Sequence, residues 1–289
     1  MIRAFHTNWT KPYFARQGSL CTAYTIDAAE LLTTALSALM WQRENGSISM
    51  LCDQIAAEYY RSRGLDFLWN GGIHAVLDEM PPAIDPICFW AAGKLYALRT
   101  FGTPCVMLDT DFIVWHNVSA RLAPHKLAVI HREDIMPDIY PDADTLHTHR
   151  PFDFTIFDWT VLPTNTALSW FADAAFTNTY TQTALDFMCA ASPADHHLTY
   201  MVFAEQRLLP MLAKQHGLSI CSLMELPELF SSGQDWFTHI WGFKQQMRQS
   251  KHLYHEFCTR CAKRLQNTFP SAAQILCQLS ELSDYFNGI

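Results

Sequence analysis

Cys105-Val106-Met107-Leu108-Asp109-Thr110-Asp111 decides how this chain reads: four apolar residues, then two carboxylates separated by one residue. Gly102-Thr103-Pro104 turns the chain just before it, so the apolar run reads as a buried strand. In open α/β sheets ligands sit at the carboxyl ends of strands, and Asp109 and Asp111 fall at that edge. Two acids on a turn leaving a strand can face one cation. Hard divalent ions such as Mg²⁺ or Mn²⁺ prefer oxygen ligands, and a diphosphate can fill their remaining positions. A cation so held works as a Lewis acid for a departing diphosphate. The plainer reading of the pair is a solvated strand-end turn.

Upstream, residues 2–5 read as a first strand running into the polar loop Thr7-Asn8-Trp9. Asp27 and Glu30 form a capping box, and the helix they open carries Leu31, Leu32, Leu36 and Leu39 as far as Asn45-Gly46. Residues 48–52 read as a second strand, 54–63 as a helix stopped by Gly64, and 86–99 as a helix opened by a proline. This alternation is the rhythm of a parallel α/β sheet. Downstream, 116–155 read as loops and short strands, 168–188 and 198–216 as helices, and 218–223 as a strand. In the tail, 271–286 reads as a helix with Ile275, Leu279, Leu282 and Phe286 on one face. No repeat or low-complexity linker interrupts the chain. One domain over 1–250 with a helical appendage over 251–289, packed on it, is expected.

Composition bounds the function. The chain has 289 residues, 49% hydrophobic and 17% charged, enough for a large packed core. A net charge of -8 argues against nucleic acid as a partner, since phosphates need a basic face. No stretch of ~18 apolar residues suggests a membrane span, and the start Met1-Ile2-Arg3-Ala4-Phe5-His6 lacks the pattern of a secretory signal. Nine cysteines, an odd number scattered through apolar runs, suggest reduced thiols and a cytoplasmic location. No Gly-X-Gly-X-X-Gly and no phosphate-loop lysine supports a dehydrogenase or a kinase.

A second element stands far downstream at His239-Ile240-Trp241-Gly242-Phe243-Lys244. A neutral imidazole is a competent Mn²⁺ ligand beside carboxylates, Gly242 would allow close backbone approach to a phosphate, and Lys244 brings a mobile positive charge. With these residues the chain resembles the GT-A glycosyltransferases, most of all family 8, in content and in order. The resemblance runs over roughly residues 1–250 and rests on Trp90-Ala91-Ala92-Gly93-Lys94, Asp109 and Asp111, Pro163-Thr164-Asn165-Thr166, Glu205-Gln206 and residues 239–244. It implies a GT-A-type nucleotide-diphospho-sugar transferase fold, a mixed, mainly parallel sheet flanked by helices. It implies a hexosyltransferase, dependent on Mn²⁺ or Mg²⁺, that moves a hexose from a nucleotide-sugar, a UDP-sugar by preference, to a glycan acceptor, as in polysaccharide biosynthesis.

The same resemblance implies roles. Asp109 would touch metal and ribose, with Asp111 and His239 as further metal ligands. Lys94 would support the donor site, and Asn165 would hydrogen-bond the transferred sugar. Glu205 and Gln206 would stand at the reacting face, Gln206 stabilising the cationic sugar while the leaving phosphate acts as base. The chain departs from the family in three places. One residue, not two, separates Gly242 from Lys244. Glu205-Gln206-Arg207 replaces Asp-Gln-Asp, and Thr166-Ala167 follows the asparagine where a Gly-rich stretch is usual. The chain therefore reads as a remote branch, leaning toward retention. The alternatives are a non-catalytic nucleotide- or glycan-binding module and a metal-dependent phosphoryl or nucleotidyl transferase.

Other signals are weaker. Cys258 and Cys261 have the spacing of a zinc half-site, but no second pair stands nearby. His147, His149, His196 and His197 read as loop residues. Asp153 and Asp158 flank aromatic residues that read as core before they read as a sugar platform. Asp53 reads equally as a helix cap and as a ribose contact.

Overall fold

Short, largely apolar runs become strands, and Ile48–Cys52, Cys105–Leu108 and Thr164–Phe171, at the heart of one large sheet, are buried on both faces. The computed structural model describes residues 1–18, 23–140, 142–192 and 197–286. Its strands are β1 (Ala4–Asn8), β2 (Ile48–Cys52), β3 (Ile73–Ala75), β4 (Cys105–Leu108), β5 (Phe112–Val114), β6 (Leu127–Arg132), β7 (Thr164–Phe171), β8 (Cys221–Ser222) and β9 (Phe237–His239). Seven make one sheet in the order β3-β2-β1-β4-β7-β6-β8, while β5 and β9 pair separately. β7 runs antiparallel to both neighbours and the other pairings in the large sheet are parallel. The mixed, mainly parallel α/β sheet expected from the sequence is present.

Helices cover both faces. In chain order they are α1 (Lys11–Gln17), α2 (Ala28–Glu44), α3 (Gln54–Ser62), α4 (Ala92–Phe101), α5 (Ser119–Leu122), α6 (Ala174–Ala190), α7 (His197–Val202), α8 (Leu208–Gln215), α9 (Leu226–Leu229), α10 (Phe243–Gln249), α11 (Lys251–Thr268), α12 (Pro270–Leu276) and α13 (Ser283–Phe286). Side chains of a strand alternate between faces. Val106 and Leu108 of β4 accordingly join the core built with α2, α3 and α11, whereas Cys105 and Met107 join the core built with α4, α6 and α8. No helix of the described residues is long and apolar enough to cross a membrane.

Five expectations need correction. β1 starts later than expected and includes Thr7 and Asn8, which pair with Leu51 and Cys52. Strand is tolerated there because Tyr60 and Tyr24 satisfy both ends of the Asn8 amide, at 2.6 and 2.9 Å. The helix expected from residue 86 begins only at Ala92, after turns. The stretch from 168, expected to be helical, is the end of β7, and α6 starts at Ala174 behind an Asp173 cap. All eight residues of β7 are buried, and a strand covered on both faces loses the alternation that would reveal it. The tail helix is broken: α12 ends at Leu276 and α13 begins at Ser283, so Ile275 lies 38% exposed while Leu276 is buried.

The strand expected over 218–223 shrinks to Cys221–Ser222. Beyond residue 250, Phe257, Cys258, Cys261, Ala262 and Leu265 of α11 pack into the same core as α2. The Tyr254 hydroxyl accepts from the Ala29 amide and donates to Asp27, both at 3.2 Å, where α2 begins.

Candidate active site

The end of β4 makes the site. Leaving the strand, the Asp109 amide donates to the Ala167 carbonyl of β7 at 2.8 Å, and Phe112 donates back to Asp109 at 3.1 Å. This turn holds Asp109 and Asp111 at the carboxyl edge of the sheet. β5 follows immediately and pairs with β9, setting Phe112 opposite His239. A residue 128 positions further along the chain is thereby carried to the acids. His239 Nε2 lies 4.0 Å from Asp111 Oδ1. One ligand atom each from Asp109, Asp111 and His239 lies within 4.8 Å of the others. Two ligands bound at about 2.1 Å to one ion must be no more than about 4.2 Å apart, so the Asp111–His239 spacing already suits a shared ion. Two carboxylates and an imidazole also match the donor preferences of Mn²⁺ and Mg²⁺, so the residues present fit such an ion.

Protonation follows from surroundings. Burial lowers the His239 imidazole to about 4, with Lys244 adding to the effect and Asp111 opposing it. The ring is neutral near pH 7, with a lone pair to give. Burial raises Asp109 to about 6, and Asp111 and Glu205 push the same way against Lys94. Burial would also raise Asp111, but Lys244 and His239 outweigh it and hold the carboxyl below its ordinary value.

Each acid has its own lysine. Lys94 Nζ lies 2.6 Å from Asp109 Oδ1 and also contacts Glu205 Oε1. Burial of the ammonium acts to lower its pKa, but the two carboxylates outweigh that and raise it. Lys94 reaches inward because Gly93 allows α4 to lie against the Trp9 loop: a Cβ at Gly93 would come within 3.1 Å of Trp9 Cβ and of Leu77 Cδ1. Lys244 Nζ lies 2.6 Å from Asp111 Oδ2, on the side of the carboxylate away from His239.

Glu205 and Gln206 stand on a π-helical turn, Phe203–Arg207, between α7 and α8. The wider turn brings both side chains to the same cavity. Thr166 donates to Glu205 Oε1 at 2.6 Å, and the Tyr180 hydroxyl holds the Glu205 carbonyl at 2.7 Å. Asn165 donates to Glu133 Oε1 at 2.9 Å. The Tyr140 hydroxyl lies 2.6 Å from Glu133 Oε2 and 2.5 Å from Gln206 Oε1, and with one proton it serves one acceptor at a time. Arg207, the last residue of the stretch that replaces Asp-Gln-Asp, points elsewhere: its guanidinium donates to the carbonyls of Val161 and Trp159 at 2.6 and 2.7 Å.

Glu205, Gln206 and Thr166 line a cavity of about 350 Å³ together with Lys94, Asp109, Asp111, Asn165, His239 and Lys244. Trp9, Trp90 and Trp241 add aromatic wall, and Trp241 is 61% exposed. Gly242 is not part of that wall. It has φ -73 and a Cβ there would meet nothing within 4 Å, so its backbone makes no use of being glycine.

Sequence reasoning missed Glu133 and Tyr140. Glu133 directly follows β6 as Asp109 follows β4, so the strand-end rule that found one acid would have found the other. The other candidates lie apart. Asp53 accepts from the Thr10 amide and hydroxyl at 2.6 and 2.8 Å and caps α3 through Ala56, which accounts for it as a cap. His149 faces the Ala191 carbonyl, and the His147 amide donates to Tyr200. His196 lies outside the described residues, and His197 opens α7. Asp153 and Asp158 close turns with Thr155 and Thr160, while Phe154 and Trp159 pack on Phe203. Cys258 and Cys261 are buried on α11, and burial pushes both thiols up to about 12.

No protein-family model and no curated protein matches the chain. Among solved structures, the chain is similar to mouse xyloside xylosyltransferase 1 in its apo form, with 7% identity over 77% of this chain and 84% of that one and a TM-score of 0.39. It is also similar to the PaToxG glycosyltransferase, with 11% identity over 99% of this chain and 86% of that one and a TM-score of 0.40.

Proposed function

We propose that the chain is a metal-dependent glycosyltransferase of the GT-A type, moving a hexose from a nucleotide-sugar, by preference a UDP-sugar, to a carbohydrate acceptor. The observation that carries this reading is the meeting of Asp109, Asp111 and His239, drawn from distant stretches, with a lysine beside each acid. In this reading the three residues hold Mn²⁺ or Mg²⁺. Such an ion, when bound, supplies Lewis-acid stabilisation of charge on the diphosphate. Asp109 also contacts the ribose, and Lys244 turns its ammonium to the phosphates. Lys94 keeps Asp109 and Glu205 in position. Asn165 bonds the transferred sugar, and Glu205 and Gln206 face its anomeric carbon.

The bond from that carbon to the phosphate oxygen breaks, the acceptor hydroxyl oxygen bonds to the carbon, and its proton passes to the leaving phosphate. Attack from the same face gives retention, the stereochemistry toward which this reading leans. A cytoplasmic role in polysaccharide assembly, with 1–250 as the transfer domain and 251–289 as its appendage, belongs to the same reading.

Asp111→Asn should abolish UDP-sugar hydrolysis while leaving the thermal unfolding of the apoprotein cooperative, and Mn²⁺ should restore chelated wild-type protein. Normal turnover by the variant would overturn the assignment. The replacement of Asp-Gln-Asp by Glu205-Gln206-Arg207 favours one second reading, a module that grips nucleotide without turnover. UDP binding by calorimetry with no product from any donor would select it.

A further inference from the structure

We infer that Ser37 and His6, neither of which reaches the cavity, are positioning residues of the cation site, acting through the main-chain carbonyl of Phe112. Phe112 is the hinge of the site. It follows Asp111 directly and pairs across the small sheet with His239, whose ring centroid lies 5.3 Å from its own. A movement of Phe112 relative to the main sheet therefore moves two of the three ligands.

A buried hydrogen-bond chain fixes it. Ser37 of α2 donates to the Phe112 carbonyl at 2.6 Å. His6 Nε2, on β1, lies 3.0 Å from Ser37 Oγ. Trp69 Nε1 donates to His6 Nδ1 at 3.3 Å.

Chemistry sets one direction along the chain. An indole nitrogen only donates, so His6 Nδ1 accepts and its proton sits on Nε2. Nε2–H then donates to Ser37 Oγ, which spends its own proton on Phe112. Every donor and acceptor is used once. Trp69 and the three links below it are each no more than 2% exposed, so no solvent can replace a missing member. Losing the Ser37 hydroxyl leaves both the Phe112 carbonyl and the His6 N–H without partners. The β5–β9 pair then loses its side-chain tie to β1 and α2, and the 4.0 Å spacing of Asp111 and His239 loosens. Groups that orient metal ligands in this way are worth about 10- to 100-fold in metal affinity.

This inference rests on the metal reading above, and the test separates the two. Ser37→Ala suits a helix, so α2 should persist. Mn²⁺ binding, read by the electron paramagnetic resonance of the free ion, should weaken about 10-fold. The visible absorption of bound Co²⁺ should shift, reporting altered ligand geometry. His6→Gln should weaken Mn²⁺ likewise, and the double variant should be no worse than the poorer single one, because both break one chain. Thr33→Ala serves as a control on the same helix, since among the described residues its hydroxyl bonds to the Ala29 and Glu30 carbonyls of α2 alone. It should lower thermal stability and leave both metal readouts unchanged. Wild-type affinity and spectrum in Ser37→Ala, or additive losses in the double variant, overturn the inference. Wild-type protein that binds neither ion overturns the metal reading and this inference with it.

Discussion

Lys94 stands between two acids that would otherwise face each other, Asp109 at 2.6 Å and the buried Glu205. Its loss leaves them uncompensated, and Glu205 is only 5% exposed. Lys94→Met should cost about 3 kcal/mol at pH 7, read from urea midpoints against wild type. Asp109 titrates near 6 in the folded chain, above the ordinary 3.8, so the folded form takes up a proton that the unfolded form does not between those values. Lys94 acts to lower that carboxyl, so its removal pushes Asp109 higher still, the variant gains more from acidification than wild type, and its deficit should shrink as pH falls from 7 to 5. A deficit that grows over that range would contradict the pairing. Asp109 and Asp111 were legible because an apolar run ends on them. The bond from Lys94 to Glu205 was not, since nothing local links residues 111 positions apart.

Among the elements, β2 and β4 follow the sequence closely, because each is a short apolar run between breakers. β7 was misread because burial on both faces erases its period. The π-helical turn was equally invisible, for it depends on how β7 and α6 receive Glu205, through Thr166 and Tyr180. The junction of β1 with α2 carries a consequence of its own. Burial lowers His6 to about 3 in the fold, against an ordinary 6.5. Between those values the unfolded chain binds the proton and the folded chain does not, so stability falls as pH falls through that window. From pH 7 to pH 5 this one residue should cost about 2 kcal/mol, and His6→Gln should flatten that part of the profile. Equal slopes in urea titrations of both proteins would refute it.

Across the whole molecule, helices on each face of the sheet make two cores, and the tail belongs to one of them. An alternating strand–helix rhythm was enough to foresee the sheet, but not its strand order, which depends on pairings between distant segments. The amphipathic stripe of the tail was read through a break at 277–282 that its periodicity does not register. A chain ending at residue 250 would bare the face of α2 that Phe257, Cys258 and Leu265 cover, and would release the start of α2 from Tyr254. Such a chain should be found in inclusion bodies or as a species lacking a cooperative thermal transition. A soluble product melting within a few degrees of the full chain would show the tail to be dispensable.

Three carboxylates at the cavity floor, Asp109, Asp111 and Glu205, meet two ammonium groups, Lys94 and Lys244, so the site carries most of its own counter-charge. Domains folded around structural zinc come apart under chelators because their ligands have no other partner. Here the two acids of the proposed metal site each keep a lysine partner whether or not an ion is present. Treatment with a chelator should be harmless and reversible, and different cations can be exchanged by dialysis into one folded preparation and compared side by side.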